Sequence, residues 1–305
     1  WWWGGRGVIS RSNSGEAPGN HPPGPVAGTV TGEELEAAAS GEQRIAAAFS
    51  AARDEGRAAL MPYMMAGFPD RETSMAVAAA YADAGADLVE LGVPFSDPLA
   101  DGPTIHAAAT ASLAAGTTFE VALEVCESIA ARVPVVLMAY ANMILAHGGA
   151  GDFARRAAAA GAVGVIVPDL PLDEAEEVPE ALGAAGLALV PLLAPTTPAE
   201  RRARICAAAQ GFVYVVSTVG TTGERQRLPS GLAGLVAATQ ADAEAPVAVG
   251  FGIGTPQQVA DVGEFADGVI VGSRLVRAAG EAGSAESAAE SVGAFLRDAR
   301  SALAA

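Results

Sequence analysis

Eight short apolar runs recur along the chain: AALMPYMMAG, ADLVELGVP, VPVVLMAY, VGVIVPD, LALVPLLAP, GFVYVVST, APVAVGFG and DGVIVGS. Between most of them lie alanine-rich stretches long enough for one amphipathic helix, among them ETSMAVAAAYADAG, GDFARRAAAAG and DEAEEVPEALGAAG. Strands alternating with helices specify a parallel sheet, because a parallel return needs a crossover. Runs that are apolar almost throughout specify strands covered on both faces. Before the first run, EQRIAAAFSAARDEG carries Ile45, Ala48, Phe49 and Ala52 at helical spacing. Eight βα units over about 265 residues match the roughly 250 residues of a closed barrel better than an open sheet. The expectation is an eight-stranded parallel β/α (TIM) barrel over residues 42–305 with an extra N-terminal helix. Residues 1–41, rich in Gly, Pro and Ser and without an apolar period, read as a disordered leader outside the core. That leader holds Trp1, Trp2 and Trp3, the three tryptophans of the chain.

Composition then removes whole classes of function. Eighteen basic against 35 acidic residues, a net charge of −17, leave no basic face for nucleic acid. All eighteen basic residues are arginine, so Schiff-base aldol chemistry, covalent pyridoxal phosphate and a P-loop lysine are closed to this chain. The three histidines, His21, His106 and His147, stand far apart, and no metal site is expected. Cys126 and Cys206 lie in alanine-rich helical segments without a C-x-x-C pair, and are read as buried thiols of a reducing cytosol. No apolar run reaches the roughly 20 residues of a membrane span, and the leader has no signal-peptide core, so the expected location is cytoplasmic.

In a β/α barrel, function concentrates just after the C-terminal ends of the strands. The run DLVELGVP puts Glu90 inside an apolar strand, on the face of Leu88 and Gly92. A buried carboxyl either finds an arginine or backbone amides, or keeps its proton and becomes an acid/base group. The strand continues into GVPFSDPLADGPTIHAAATASL, stiffened by Pro94, Pro98 and Pro103. Asp97, before a proline, reads as a turn residue; Asp101 reads as a turn or helix cap, or as a second carboxylate in the barrel mouth. Two carboxylates at one barrel end suit acid/base work without metal. Glycine-rich ends of the last two runs, GFGIGTP and VGSR, place Gly252, Gly272 and Ser273 where barrels often bind phosphate. GFGIG lacks the spacing of a dinucleotide fingerprint. The stretch STVGTTGERQRLPSG, with Gly220, Gly223 and Gly231, is long enough for a mobile lid, the alternative being an ordinary surface loop.

The segment ELGVPFSDPLADGPTI resembles the signature of the tryptophan synthase alpha subunit family. MPYMMAGFPD, MAYANMI, VPDLP, STVGTTG, GFGIGTPQQV and GVIVGS resemble that family's successive strand ends, in order, over about residues 42–300. The resemblance implies retro-aldol cleavage of indole-3-glycerol phosphate to indole and glyceraldehyde 3-phosphate, with no cofactor in this chain. It implies Glu90 as the acid/base, Asp101 as the group on the indole N–H, and Tyr214 beside the glutamate. By the same resemblance Gly223, Gly252, Gly272 and Ser273 bind phosphate, Tyr63, Tyr140 and Met138 line an indole pocket, and Asp169 serves the active-site loop and partner signalling. The implied partner is a beta subunit carrying pyridoxal phosphate, in an alpha2-beta2 heterotetramer, docked around the loops after strands two and six. Phe68, where many members have aspartate, and His106, where glutamine is frequent, depart from the pattern. The alternatives are a different phosphosugar barrel, or a non-catalytic regulatory subunit that binds a phosphorylated ligand.

Overall fold

The first helix of the computed structural model, α1 (Gly41–Asp54), is opened by a capping box: the Ser40 hydroxyl accepts from Gln43 N, and the Gln43 side chain accepts from Ser40 N at 2.9 Å. The structure describes residues 39–146, 148–174, 176–216, 229–250 and 252–305. The disordered leader expected over residues 1–41 lies, up to residue 38, outside the described residues, as do His147, Gly223 and most of the expected lid. On α1, Ile45, Phe49 and Ala52 are buried and pack with Met61, Phe212 and Ala248. The Phe49 and Phe212 rings are 5.7 Å apart. The helix thus plugs the end of the barrel where the strands begin.

The strands are β1 (Ala59–Met65), β2 (Val89–Gly92), β3 (Val135–Met138), β4 (Gly164–Ile166), β5 (Ala188–Val190), β6 (Leu192–Leu193), β7 (Val213–Val216), β8 (Val247–Gly250) and β9 (Gly268–Val271). Every pairing is parallel, in the order β5-β4-β3-β2-β1-β9-β8-β7-β6. The eight runs therefore become nine strands, a correction with one cause. LALVPLLAP is cut at Pro191, which has no N–H to give to a ladder. Its carbonyl still accepts from Tyr214 N at 3.0 Å. One half of the run pairs with β4 and the other with β7, so a single run joins the two ends of the sheet and closes the barrel.

Around it lie α2 (Arg71–Asp83), α3 (Pro103–Ala114), α4 (Phe119–Ala130), α5 (Ala141–Leu145), α6 (Gly149–Ala159), α7 (Glu177–Ala184), α8 (Ala199–Ala207), α9 (Leu232–Asp242), α10 (Pro256–Gly263), α11 (Ser273–Glu281) and α12 (Ala285–Leu303). Strand alternation sorts side chains into two cores. Leu60, Val89, Leu91, Val135, Leu137 and Val213 pack outward under the helices. Met61, Tyr63, Leu88, Val136, Met138 and Tyr214 pack inward. Cys126 on α4 and Cys206 on α8 are free and buried, and burial pushes the Cys126 thiol up to about 12. Among the described residues, no helix is long and apolar enough to cross a membrane.

A charged clamp holds the bottom of the barrel. Arg57, at the start of β1, donates to Asp87 at 2.6 and 2.8 Å, and Asp87 also accepts from Leu60 N at 2.7 Å. Arg300 of α12 joins from outside, on Gly85 O at 2.9 Å and Glu55 at 2.7 Å. This clamp fixes β1 against β2 and leaves the opposite end free for variation.

Candidate active site

Glu90 stands on β2 between Tyr63 of β1 and Val136 of β3 in the strand register. It is 2% exposed, and its Oε2 has no hydrogen-bond partner among the described residues. The arginine or backbone pairing that would neutralise such a group is missing for this oxygen. Burial first, and the negative charge of Asp101 second, push its pKa up to about 8. Gly92, next on the same face, is required by packing: a Cβ there would sit 2.1 Å from the Tyr63 hydroxyl. The missing side chain lets Tyr63 lie across the strand end. Tyr63 and Tyr214 are buried, and burial together with the two carboxyls holds both hydroxyls well above their ordinary range, as neutral groups.

The loop after β2 delivers the second carboxyl. Asp97 is exposed and accepts from the Ser96 hydroxyl at 2.6 Å, a local turn contact. Asp101 is not the cap of α3: that position belongs to Gly102, which makes no side-chain cap bond, and Pro103 begins the helix. Burial raises Asp101 to about 6, against the lowering effects of a hydrogen bond from Tyr140 and of His106. Burial thus raises both carboxyls, Glu90 further than Asp101, and such a separation of two carboxyls is what acid/base catalysis uses.

Tyr63, Glu90, Asp101, Ile105, Met138, Tyr214, Gly252, Ile270, Gly272 and Ser273 line one cavity at the C-terminal end of the barrel. Eight of these were named from the sequence. Ile105 and Ile270 were not; Ile270 could have been found by strand alternation, since it stands two residues before Gly272. Tyr140 and Asp169 do not line the cavity. Tyr140 is buried behind Asp101, its hydroxyl accepting from Ala100 N at 3.1 Å. Asp169 is exposed and accepts from Ala141 N at 2.8 Å. Gly223 lies outside the described residues.

At the cavity's far side Gly252 adopts φ +84°, a left-handed conformation that suits glycine. Gly272 and Ser273 begin α11, and Gly272 O already accepts from Leu275 N and Val276 N. The first amides of a helix have no acceptor within it, and with the helix dipole they attract an anion. Among the described residues no group of three or more metal-ligating side chains occurs. Phe68 packs against the inner core and against α11 at Gly280, where a Cβ would meet its ring at 2.7 Å.

The family model described as tryptophan synthase alpha chain matches residues 49–303. The chain belongs to that family. As a tryptophan synthase alpha chain it is a lyase of tryptophan biosynthesis. The tryptophan synthase alpha chain of Synechococcus sp. (strain CC9902) is 48% identical over 261 residues, 85% of this chain and 96% of the relative. A tryptophan synthase structure from Mycobacterium tuberculosis superposes with a TM-score of 0.80 at 37% identity, covering 88% of this chain and 100% of that one. The tryptophan synthase subunit alpha of Legionella pneumophila gives 0.76 at 36% identity, covering 85% and 98%.

Proposed function

We propose that this alpha chain cleaves indole-3-glycerol phosphate to indole and glyceraldehyde 3-phosphate by a retro-aldol step in which Glu90 is the acid/base and Asp101 stabilises the indole N–H. The observation that carries the assignment is a buried and a half-buried carboxyl lining one cavity, both with raised pKa values, the first with an unpartnered oxygen and the second in reach of ionisation near neutral pH. Protonated Glu90 gives its proton to the ring carbon that bears the side chain, and the ring becomes a cationic indolenine. Asp101, as a carboxylate, accepts the ring N–H and stabilises the positive charge as it develops. Glu90, now ionised, takes the proton of the side-chain hydroxyl. The bond between the ring carbon and the carbinol carbon breaks, its electrons return to the ring, the aldehyde forms, and Glu90 ends protonated as it began.

Tyr63, Met138 and Tyr214 are assigned to the indole pocket, Tyr214 beside Glu90. The phosphate is assigned to Gly252, Gly272 and Ser273, together with Gly223, because amide donors at a helix start serve an anion in a protein of net charge −17 with no lysine. The catalytic domain in this reading runs from Ser40, the cap of α1, to residue 305, two residues earlier than the boundary at 42 read from the sequence, with the residues before it as a leader. The chemistry uses no cofactor in this chain. Pyridoxal phosphate belongs to a beta subunit, docked over the mouth in a cytoplasmic alpha2-beta2 heterotetramer. The test is release of indole from indole-3-glycerol phosphate by the purified chain. Glu90→Gln is expected to lower turnover by at least about a hundredfold, the lower range of acid/base contributions. Asp101→Asn is expected to lower turnover while phosphate still binds. A Glu90→Gln chain at full rate would falsify the assignment.

A further inference from the structure

We infer that Tyr140 is a positioning residue for Asp101, and that Asp169 acts on the same carboxylate through the backbone of Ala141. Tyr140 holds the β2–α3 loop at two points. Its ring stacks on Phe95, centroids 5.1 Å apart and planes at 27°. Its hydroxyl accepts from Ala100 N at 3.1 Å, one residue before Asp101, and favours the ionised form of that carboxyl. The bonds Leu99 N to Asp97 O and Asp101 N to Pro98 O are internal to the loop. They shape it but do not tie it to the barrel. Tyr140, fixed at the end of β3, supplies that tie.

The direction of the bond follows from the hydroxyl's inventory. It has one proton, and an amide already points at its oxygen, so the proton is free to turn toward the carboxylate. A proton turned toward the carboxylate favours its ionised form. Asp169, in the segment after β4, accepts from Ala141 N at 2.8 Å. That amide opens α5 immediately after Tyr140, and Met143 N and Ile144 N bond back to Tyr140 O. Asp169 therefore anchors the turn that carries Tyr140. The chain of contacts runs Asp169, Ala141, Tyr140, Asp101, across the ends of β4, β3 and β2. The other titratable groups facing Asp101 are Glu90 from β2, the strand before its loop, Tyr63 from β1, Tyr214 from β7 and His106 from α3.

This inference rests on the role proposed for Asp101, and its test separates the two. In the full chain, Tyr140→Phe keeps the ring stack and deletes the hydroxyl. Carbon NMR of labelled aspartate carboxyls, followed against pH without substrate, is expected to show Asp101 binding its proton about tenfold more tightly, the scale of one hydrogen bond to a charged group. The acid limb of indole release is expected to move to higher pH, with kcat falling more than KM rises. Asp169→Ala is expected to move the same limb in the same direction by less. Asp169→Asn, whose amide oxygen still accepts from Ala141 N, should fall between Asp169→Ala and the unmodified chain. An Asp101 titration unchanged in Tyr140→Phe overturns the inference whether or not the chain turns over. An Asp169→Asn indistinguishable from Asp169→Ala removes Asp169 from the chain of contacts. Failure of the unmodified chain to release indole overturns the lyase assignment instead, and leaves the NMR result to decide the positioning.

Discussion

Because Glu90 is held as the acid inside the barrel, the folded protein keeps a proton that the unfolded chain releases above about pH 4.5, the ordinary value for glutamate. The folded-state pKa is raised, so the stability linked to this group is fully present below the unfolded value and is lost as pH rises through about 8. Asp101 acts in the same direction over the lower window that ends near 6. Glu90→Gln preserves the shape and cannot ionise. Its thermal midpoint should exceed that of the unmodified chain at about pH 9 and approach it at about pH 5; a difference that does not change with pH would exclude the linkage. Glu90 was legible because one acid stood in an apolar run. Asp101 was not separable from a turn or cap residue, since what distinguishes them is which way the loop carries the carboxyl. Tyr140 was read as a pocket aromatic by resemblance, whereas its contribution depends on a hydroxyl meeting a loop some 40 residues away in sequence.

At the scale of elements, the clamp beneath the barrel gives a sharp contrast. The Arg57 side chain is 2% exposed and depends on Asp87, itself 11% exposed. Removing one partner of a buried pair leaves an uncompensated charge and costs about 3 kcal/mol or more. Asp87→Ala should therefore lower the urea midpoint strongly, while Glu55→Ala, at a position 53% exposed on the same arginine, should shift it far less. Equal shifts would show that burial does not set the weight of this network. The elements themselves were largely readable, because buried parallel strands are apolar on both faces and the helices between them are alanine-rich. Where the reading missed, a local chemical group explains it. Pro191 divides one run into two strands. The expected helix DEAEEVPEALGAAG shrinks to α7, beginning at Glu177, and Asp173 is drawn off by ion pairs to Arg201 and Arg204 of α8. Pro179 is tolerated because it falls in the first turn, where no intrahelical N–H bond is lost.

For the molecule as a whole, the two ends of the barrel carry different duties. One end is closed by α1 and the arginine clamp; the other gathers the carboxyls, the helix start of α11 and the proline-stiffened loop after β2. On that loop Leu99 is 87% exposed, two residues before Asp101, an apolar side chain held in water beside the candidate active site. Water contact of this kind is removed when a partner covers the mouth, and covering the mouth is also what would retain a small apolar product such as indole. The proposed beta subunit meets both conditions. Indole release should rise when it is added, and Leu99→Asp should reduce that stimulation by about tenfold or more, because a carboxylate would be desolvated in the contact. Release by the chain alone should change less, since Leu99 lines no part of the carboxyl cavity. If Leu99→Asp responded to the partner as fully as the unmodified chain does, the partner would have to dock away from this loop.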